Sequence, residues 1–167
     1  MRLADKLQDW LNYREWNDKI EFDEENQSSR INFSYTIKDQ SFDVYVESEE
    51  ERDFLMFYFY APFNATSKKI TECTVLFNHI NLCSFSGTMT VTDKGRIRWH
   101  HVVDFEETDP SVKAIDNAFR AGSGTFSRWF DEISEIALTK TTAQELFERL
   151  NAEAEAEPSE EDVPDSI

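Results

Sequence analysis

Leu3, Leu7, Trp10 and Leu11 recur at spacings of four, three and one, which places them on one stripe of an amphipathic helix over residues 2–14. Trp16, Ile20 and Phe22 follow without a clear period, and a polar loop covers residues 23–29. The period then becomes two. Ile31, Phe33, Tyr35 and Ile37 alternate with Asn32, Ser34, Thr36 and Lys38, which predicts a half-buried strand. A turn at Lys38-Asp39-Gln40 leads to Phe42, Val44 and Val46, the return strand of a hairpin. The next run, FLMFYFYAPF over residues 54–63, is apolar on both parities: Phe54, Met56, Tyr58 and Tyr60 point one way, Leu55, Phe57 and Phe59 the other. Such a strand is covered on two sides. Leaving Leu55, Phe57 and Phe59 wet would forgo ~1.5–3 kcal/mol each, so a helix of the same chain or another subunit is expected over them.

Thr66 or Ser67 supplies an N-cap hydroxyl before a second helix carrying Ile70, Cys73, Leu76, Phe77 and Ile80. Phe85, Gly87, Met89 and Val91 then alternate with serines and threonines. Asp93-Lys94-Gly95 predicts a three-residue hairpin loop with a bulge. The partner strand presents Ile97, Trp99, His101, Val103 and Phe105 on one face and Arg96, Arg98, His100, Val102 and Asp104 on the other. Asp109-Pro110 opens the longest apolar stripe, Ile115, Phe119, Gly122, Phe126, Trp129 or Phe130, Ile133 and Ala137. Its register runs straight through Gly122-Ser123-Gly124, which predicts one helix over residues 110–138 whose glycines let it approach the sheet closely, with a break there as the alternative. Thr142 and Glu145 form a capping box for a short last helix. The expected fold is α+β: an antiparallel sheet of about five strands packed with helices, in the order α-β-β-β-α-β-β-α plus that last helix.

A chain of 167 residues with 40% hydrophobic positions has material for one core. Residues 1–150 are expected to form a single domain. The last segment, NAEAEAEPSEEDVPDSI, carries seven acids and no base, and is expected to be a disordered acidic tail over 151–167. Of the net charge of −17, −10 remains on residues 1–150, where 27 acids face 17 bases. Nucleic acid and anionic membranes are disfavoured partners for such a body. No uncharged stretch approaches the ~18 residues of a membrane span, and the charged N-terminus lacks a signal-peptide core, so a cytoplasmic location is expected.

Catalytic signatures are missing from the sequence. GxSxG, HExxH, P-loop and dinucleotide glycine patterns do not occur. His100 and His101 are strand neighbours pointing to opposite faces, and His79 with Cys83 offers two ligands where zinc needs four. Cys73 and Cys83 are too few for a disulfide framework, and the acids Glu49, Glu50, Glu51 and Asp53 lack the spacing of a calcium loop. No metal, no cofactor and no enzymatic activity are expected. An enzyme of unrecognised type would have to use His100, Asp104 or His79.

The stretch LFNHINLCSFSGTMTVTDKGRIRW over residues 76–99 resembles the pattern of the YbjN-like family of bacterial sensory transduction regulators. Asn78, Asn81, Gly87, Met89, Gly95 and Arg98 occupy the positions of its asparagines, glycines, apolar residue and basic strand. That family is similar in fold to class I type III secretion chaperones, acidic cytosolic dimers that hold an extended segment of a client protein. The resemblance implies a non-enzymatic protein-binding module, with a protein client or a second copy of itself as partner. The expected partner-binding residues are Leu55, Phe57, Phe59, Trp99 and His101. Asn78 and Asn81, near a helix C-terminus, are expected to hydrogen-bond backbone where helix meets strand. The alternative is a small-ligand sensor with an apolar pocket between sheet and long helix, lined by Trp99, Phe119, Phe126 and Trp129.

Overall fold

The computed structural model describes residues 2–106 and 108–156. The order is α1 (Arg2–Tyr13), β1 (Ile20–Asp23), β2 (Ser28–Ile37), β3 (Gln40–Glu49), β4 (Phe54–Asn64), α2 (Ile70–Cys83), β5 (Thr88–Val91), β6 (Arg96–Asp104), α3 (Val112–Leu138) and α4 (Ala143–Ala156), with short 3-10 turns before β4 and α2. Six strands form one antiparallel sheet in the spatial order β1-β2-β3-β4-β6-β5. The sixth strand is β1, which comes from the stretch around Ile20 and Phe22 that shows no period. It is four residues long and pairs with β2 alone, too short for alternation to register.

The hairpin between β2 and β3 turns through Lys38 and Asp39, both at positive φ (47° and 59°). This is the backbone of a tight turn that matches the twist of its strands. Ile31, Phe42, Val44 and Val46 face the helices and are buried. On β4, Leu55, Phe57 and Phe59 are each 0% exposed. The layer over them comes from the chain itself: α3 packs on β4 and β6, flanked by α1 and α2.

α3 is continuous through both glycines, and they do different things. A Cβ on Gly122 would stand 2.6 Å from the Phe59 ring and 2.7 Å from Trp99, whereas one on Gly124 meets nothing within 4 Å. Gly122 alone is the point of close approach. The helix starts later than Asp109-Pro110 implies. Ser111 is the N-cap, its backbone extended (φ −76°, ψ 148°) and its hydroxyl accepting from the Ala114 amide at 3.1 Å, so that Pro110 lies before the helix instead of at its first position.

α1 is fastened at both ends. The carboxylate of Glu50, in the acid-rich turn before β4, accepts from the Leu3 and Ala4 amides at 3.0 and 2.9 Å. These are two of the unpaired donors at a helix start. Towards the other end of α1, Trp10 Nε1 donates to Asp116 of α3 at 3.1 Å, and Arg14 pairs with the same carboxylate. Asp116 is only 5% exposed, so the ion pair supplies the partner that burial of a charge demands. α4 opens with the expected capping box: the Thr142 amide donates to Glu145 at 2.8 Å, and the Glu145 amide donates back to the Thr142 hydroxyl at 3.2 Å. The helix runs to Ala156, six residues into the segment expected to be a tail; residues 157–167 lie outside the described residues.

The two glycines of α3 give opposite expectations. Gly122→Ala pushes a methyl into the Phe59 and Trp99 rings and destabilises by about 1–3 kcal/mol. Gly124→Ala, exposed and unobstructed, stabilises by up to ~1 kcal/mol. Urea unfolding of the two variants checks the signs.

Candidate functional site

Because every helix lies on one face, the other parity of each strand is left uncovered, and the register sets it out in rows. Tyr60 lies between Asp43 and Arg98, Tyr58 between Tyr45 and His100, Met56 between Glu47 and Val102, and Phe54 between Glu49 and Asp104. Phe54, Met56, Tyr58 and Tyr60 are all half-buried. Val102 is 44% exposed. The strand that is hydrophobic on both sides is therefore covered on one side only, and half-buried tyrosine rings occupy the centre of the open side.

These rings touch one another and three guanidiniums. Tyr45 meets Tyr60 edge-on at 5.6 Å between centroids, Tyr58 stacks with Tyr60 at 6.5 Å, and Tyr58 stacks with His100 at 6.3 Å. Arg96 lies 4.0 Å from the Tyr60 centroid, Arg30 5.0 Å from Tyr45, and Arg98 5.9 Å from Tyr58, within range of cation–π attraction. Arg30, Asn32, Tyr45, Glu47, Tyr58 and Tyr60, with Arg96 and Arg98, line a shallow depression of ≈ 490 Å³. Desolvation, reinforced by Glu47, raises the Tyr58 hydroxyl above the usual phenol range, so it remains a donor.

The residues expected to face a partner lie elsewhere. Leu55, Phe57, Phe59 and Trp99 are fully buried in the core, where a partner reaches them only by unfolding the domain. His101 shares their side of the sheet, half-buried, its ring 5.8 Å from Trp99. The surface open to a partner is the opposite parity. Its signal in the sequence is chemical: hydroxyl-bearing rings and arginines on that parity of residues 56–60 and 96–100, against unadorned Leu, Phe and Trp on the other.

The slot between sheet and long helix is filled with rings. Phe119 lies 5.2 Å from Phe59, Phe126 4.7 Å from Phe42, and Phe59 5.8 Å from Trp99. Among the described residues no group of three or more His, Cys, Asp or Glu could hold a metal ion. Burial pushes the Cys73 thiol up to about 11, while Cys83 is exposed. No helix of the described residues is long and apolar enough to cross a membrane.

The motif over residues 76–99 has a structural basis. Asn81 clamps Met89 from both sides, its Nδ2 donating to the Met89 carbonyl at 3.1 Å and its Oδ1 accepting from the Met89 amide at 2.8 Å. That fastens the end of α2 to the edge strand β5. Asn78 is exposed and makes no side-chain hydrogen bond among the described residues, so of the two asparagines Asn81 is the one that fastens helix to strand. Gly87 (φ +73°) lies flat against Trp99, where a Cβ would fall 2.1 Å from the ring, and at Gly95 (φ +79°) a Cβ would strike the Ala65 carbonyl at 2.0 Å.

Comparison with known proteins agrees with this architecture. The YbjN family model, described as "Putative bacterial sensory transduction regulator", matches residues 3–135. No curated protein sequence is detectably similar to the chain. Among solved structures, a chain of the HopA1–SchA chaperone–effector complex superimposes with a TM-score of 0.54 at 16% identity, covering 78% of this chain and 93% of its own. The crystal structure of YbjN, "a putative transcription regulator from E. coli", superimposes at 0.50 with 9% identity, covering 77% and 91%. At these identities the likeness is one of fold.

His100 and His101 provide a pH test of the packing. Desolvation holds both below the usual histidine range, helped by Arg98 for His100 and by His100 for His101. The unfolded chain protonates both near 6.5, before the folded one does, so stability falls as pH drops through and below that value. Replacing both with Gln flattens part of this fall. Urea unfolding at about pH 7 and about pH 5.5 measures it, since the carboxylates titrate mostly lower.

Proposed function

This chain belongs to the YbjN family, and from that premise we propose a non-enzymatic protein-binding module of the bacterial cytosol, chaperone-like or a regulatory adaptor. It holds a client segment against the open face of its sheet. The observation that carries this reading is the one-sided layering: Tyr45, Met56, Tyr58, Tyr60 and Val102 form an aromatic and apolar strip with no element of the described residues over it. Patches of that kind, rimmed by polar residues, mark interaction sites. A neighbour of the same fold comes from a chaperone–effector complex, which supports a protein as the partner.

The module also pairs with a second copy of itself. Leu82 is 79% exposed and Phe85 109%, and beside them Cys83, Ala121, Gly124, Thr125 and Trp129 line a largely apolar hollow of ≈ 270 Å³. A protruding ring next to a hollow is self-complementary across a two-fold axis, the commonest form of homodimer. The adjoining edge strand β5 has only four residues.

Two measurements check these statements. Tyr58→Glu with Tyr60→Glu is expected to abolish capture of specific proteins from native cytosol while leaving the thermal midpoint near that of the parent; an unchanged captured set, or none for the parent, overturns the docking role. Leu82→Glu with Phe85→Glu is expected to turn a dimer into a monomer in sedimentation. A parent that sediments as a monomer at all concentrations overturns the self-association.

A further inference from the structure

The open face is electrically polarised along its strands, and this bears on which segment it takes. Its rows follow one another at about 6.7 Å, two residues of strand rise. At one end stand Arg96 and Arg98, which have no carboxylate partner among the described residues. Arg98 donates through Nε to Thr90 at 3.2 Å, and among the described residues its terminal amino groups have no acceptor. The single acid in their rows is Asp43, separated from Arg98 by Tyr60. The middle row is Tyr45, Tyr58 and His100. Beyond it come Glu47, Met56 and Val102, then Glu49, Phe54 and Asp104, with Glu21 and Asp23 at the β1 edge.

The acidic end is only partly neutralised. Arg30 pairs with Glu47 at 3.0 Å and Arg52 with Glu49 at 3.3 Å. Asp104 accepts from the Glu106 amide, and Asp23 from Asn26. Among the described residues, neither they nor Glu21 has a cation within ion-pair range. A face with two guanidiniums that lack a carboxylate partner among the described residues at one end, tyrosines in the middle and surplus carboxylates at the other is complementary to one arrangement of charge.

We propose that this face selects an extended client segment of about nine residues with segregated charges: carboxylates over Arg96 and Arg98, apolar or aromatic side chains over Tyr58 and Met56, and basic side chains over Glu49 and Asp104. The length follows from the span of β6, since eight steps from Arg96 to Asp104 cover about 26 Å. Docking of this kind draws its selectivity from electrostatic complementarity and its affinity from the rings. Single-stranded nucleic acid, which also stacks on tyrosines beside arginines, is disfavoured because its uniform negative charge would lie over the acidic rows. The inference rests on the docking role proposed above and goes further by naming the chemistry of the segment.

The test is selection from a random nine-residue peptide library displayed on phage, against the full chain and against three variants, the two arginine pairs below and Tyr58→Glu with Tyr60→Glu. The parent is expected to enrich peptides with acids at one end and bases at the other. A synthetic peptide of that kind should bind about tenfold more tightly than an isomer with the same charges interleaved, as two or three partly exposed charge pairs allow. Arg96→Glu with Arg98→Glu, both at the surface of the sheet, is expected to lose that preference and to select peptides with bases at both ends. Arg96→Gln with Arg98→Gln should lose the preference without reversing it. Enrichment that depends on Tyr58 but shows no order of charge overturns this inference and leaves the docking role standing. Enrichment indifferent to Tyr58, or none, overturns both. Tighter binding of a ten-nucleotide single-stranded RNA than of any selected peptide overturns the assignment to a protein segment.

Discussion

The architecture depends on the contact between α3 and β4. A strand that presents Leu55, Phe57 and Phe59 in succession has to be covered, and α3 can come close enough only because residue 122 has no side chain. With the gap closed, Phe59, Trp99 and Phe119 interlock around the helix. Burying the three β4 side chains contributes several kcal/mol, a sizeable part of the ~5–15 kcal/mol that separates a folded domain from its unfolded chain. The helix bears the unfavourable intrinsic propensity of two glycines for the sake of one contact.

From that seam follows the division of the molecule into a dry side and a wet side. α1 and α2 flank α3 over the same face, and α1 is held there by Glu50 at its start and by the Asp116, Trp10 and Arg14 cluster towards its end. Among the described residues no element covers the other face. Its tyrosines, methionine and arginines are compatible with water and still apolar enough to bind, because long amphipathic side chains keep their polar ends wet. A rigid sheet beneath them means that little conformational freedom is lost when something docks.

The overall charge and the local charge of this face point in different directions. The chain carries −17, which repels polyanions at a distance. Within about a Debye length, however, it is the row structure that a ligand meets. Segregation of charge along the strands is possible because side chains on one parity of antiparallel neighbours stand in register. The Asn81 clamp and the tight approaches at Gly87 and Gly95 hold β5 and the loop before β6 in place, and so position Thr90, the hydrogen-bond partner of Arg98.

Much of the fold could be read from one dimension, for reasons that are local. Periods of 3.6 and 2 marked α1, α2, α3 and strands β2, β3, β5 and β6, and the Thr142–Glu145 box marked the start of α4. The continuity of α3 through Gly122 was visible because the apolar stripe kept its register. The alternation over residues 54–60 showed that both parities were apolar, but alternation has no sign. It cannot say which side meets a helix when both could. Only the packing decided that, and it put Leu55, Phe57, Phe59 and Trp99 inside and left the tyrosines out. β1 escaped notice because four residues make too short a period, and the Glu50 cap because it joins positions 46 and 47 apart. The polarity of the open face likewise exists only between strands: Arg98, Tyr60 and Asp43 become neighbours through hydrogen-bonded pairing, which the order of residues along the chain does not contain.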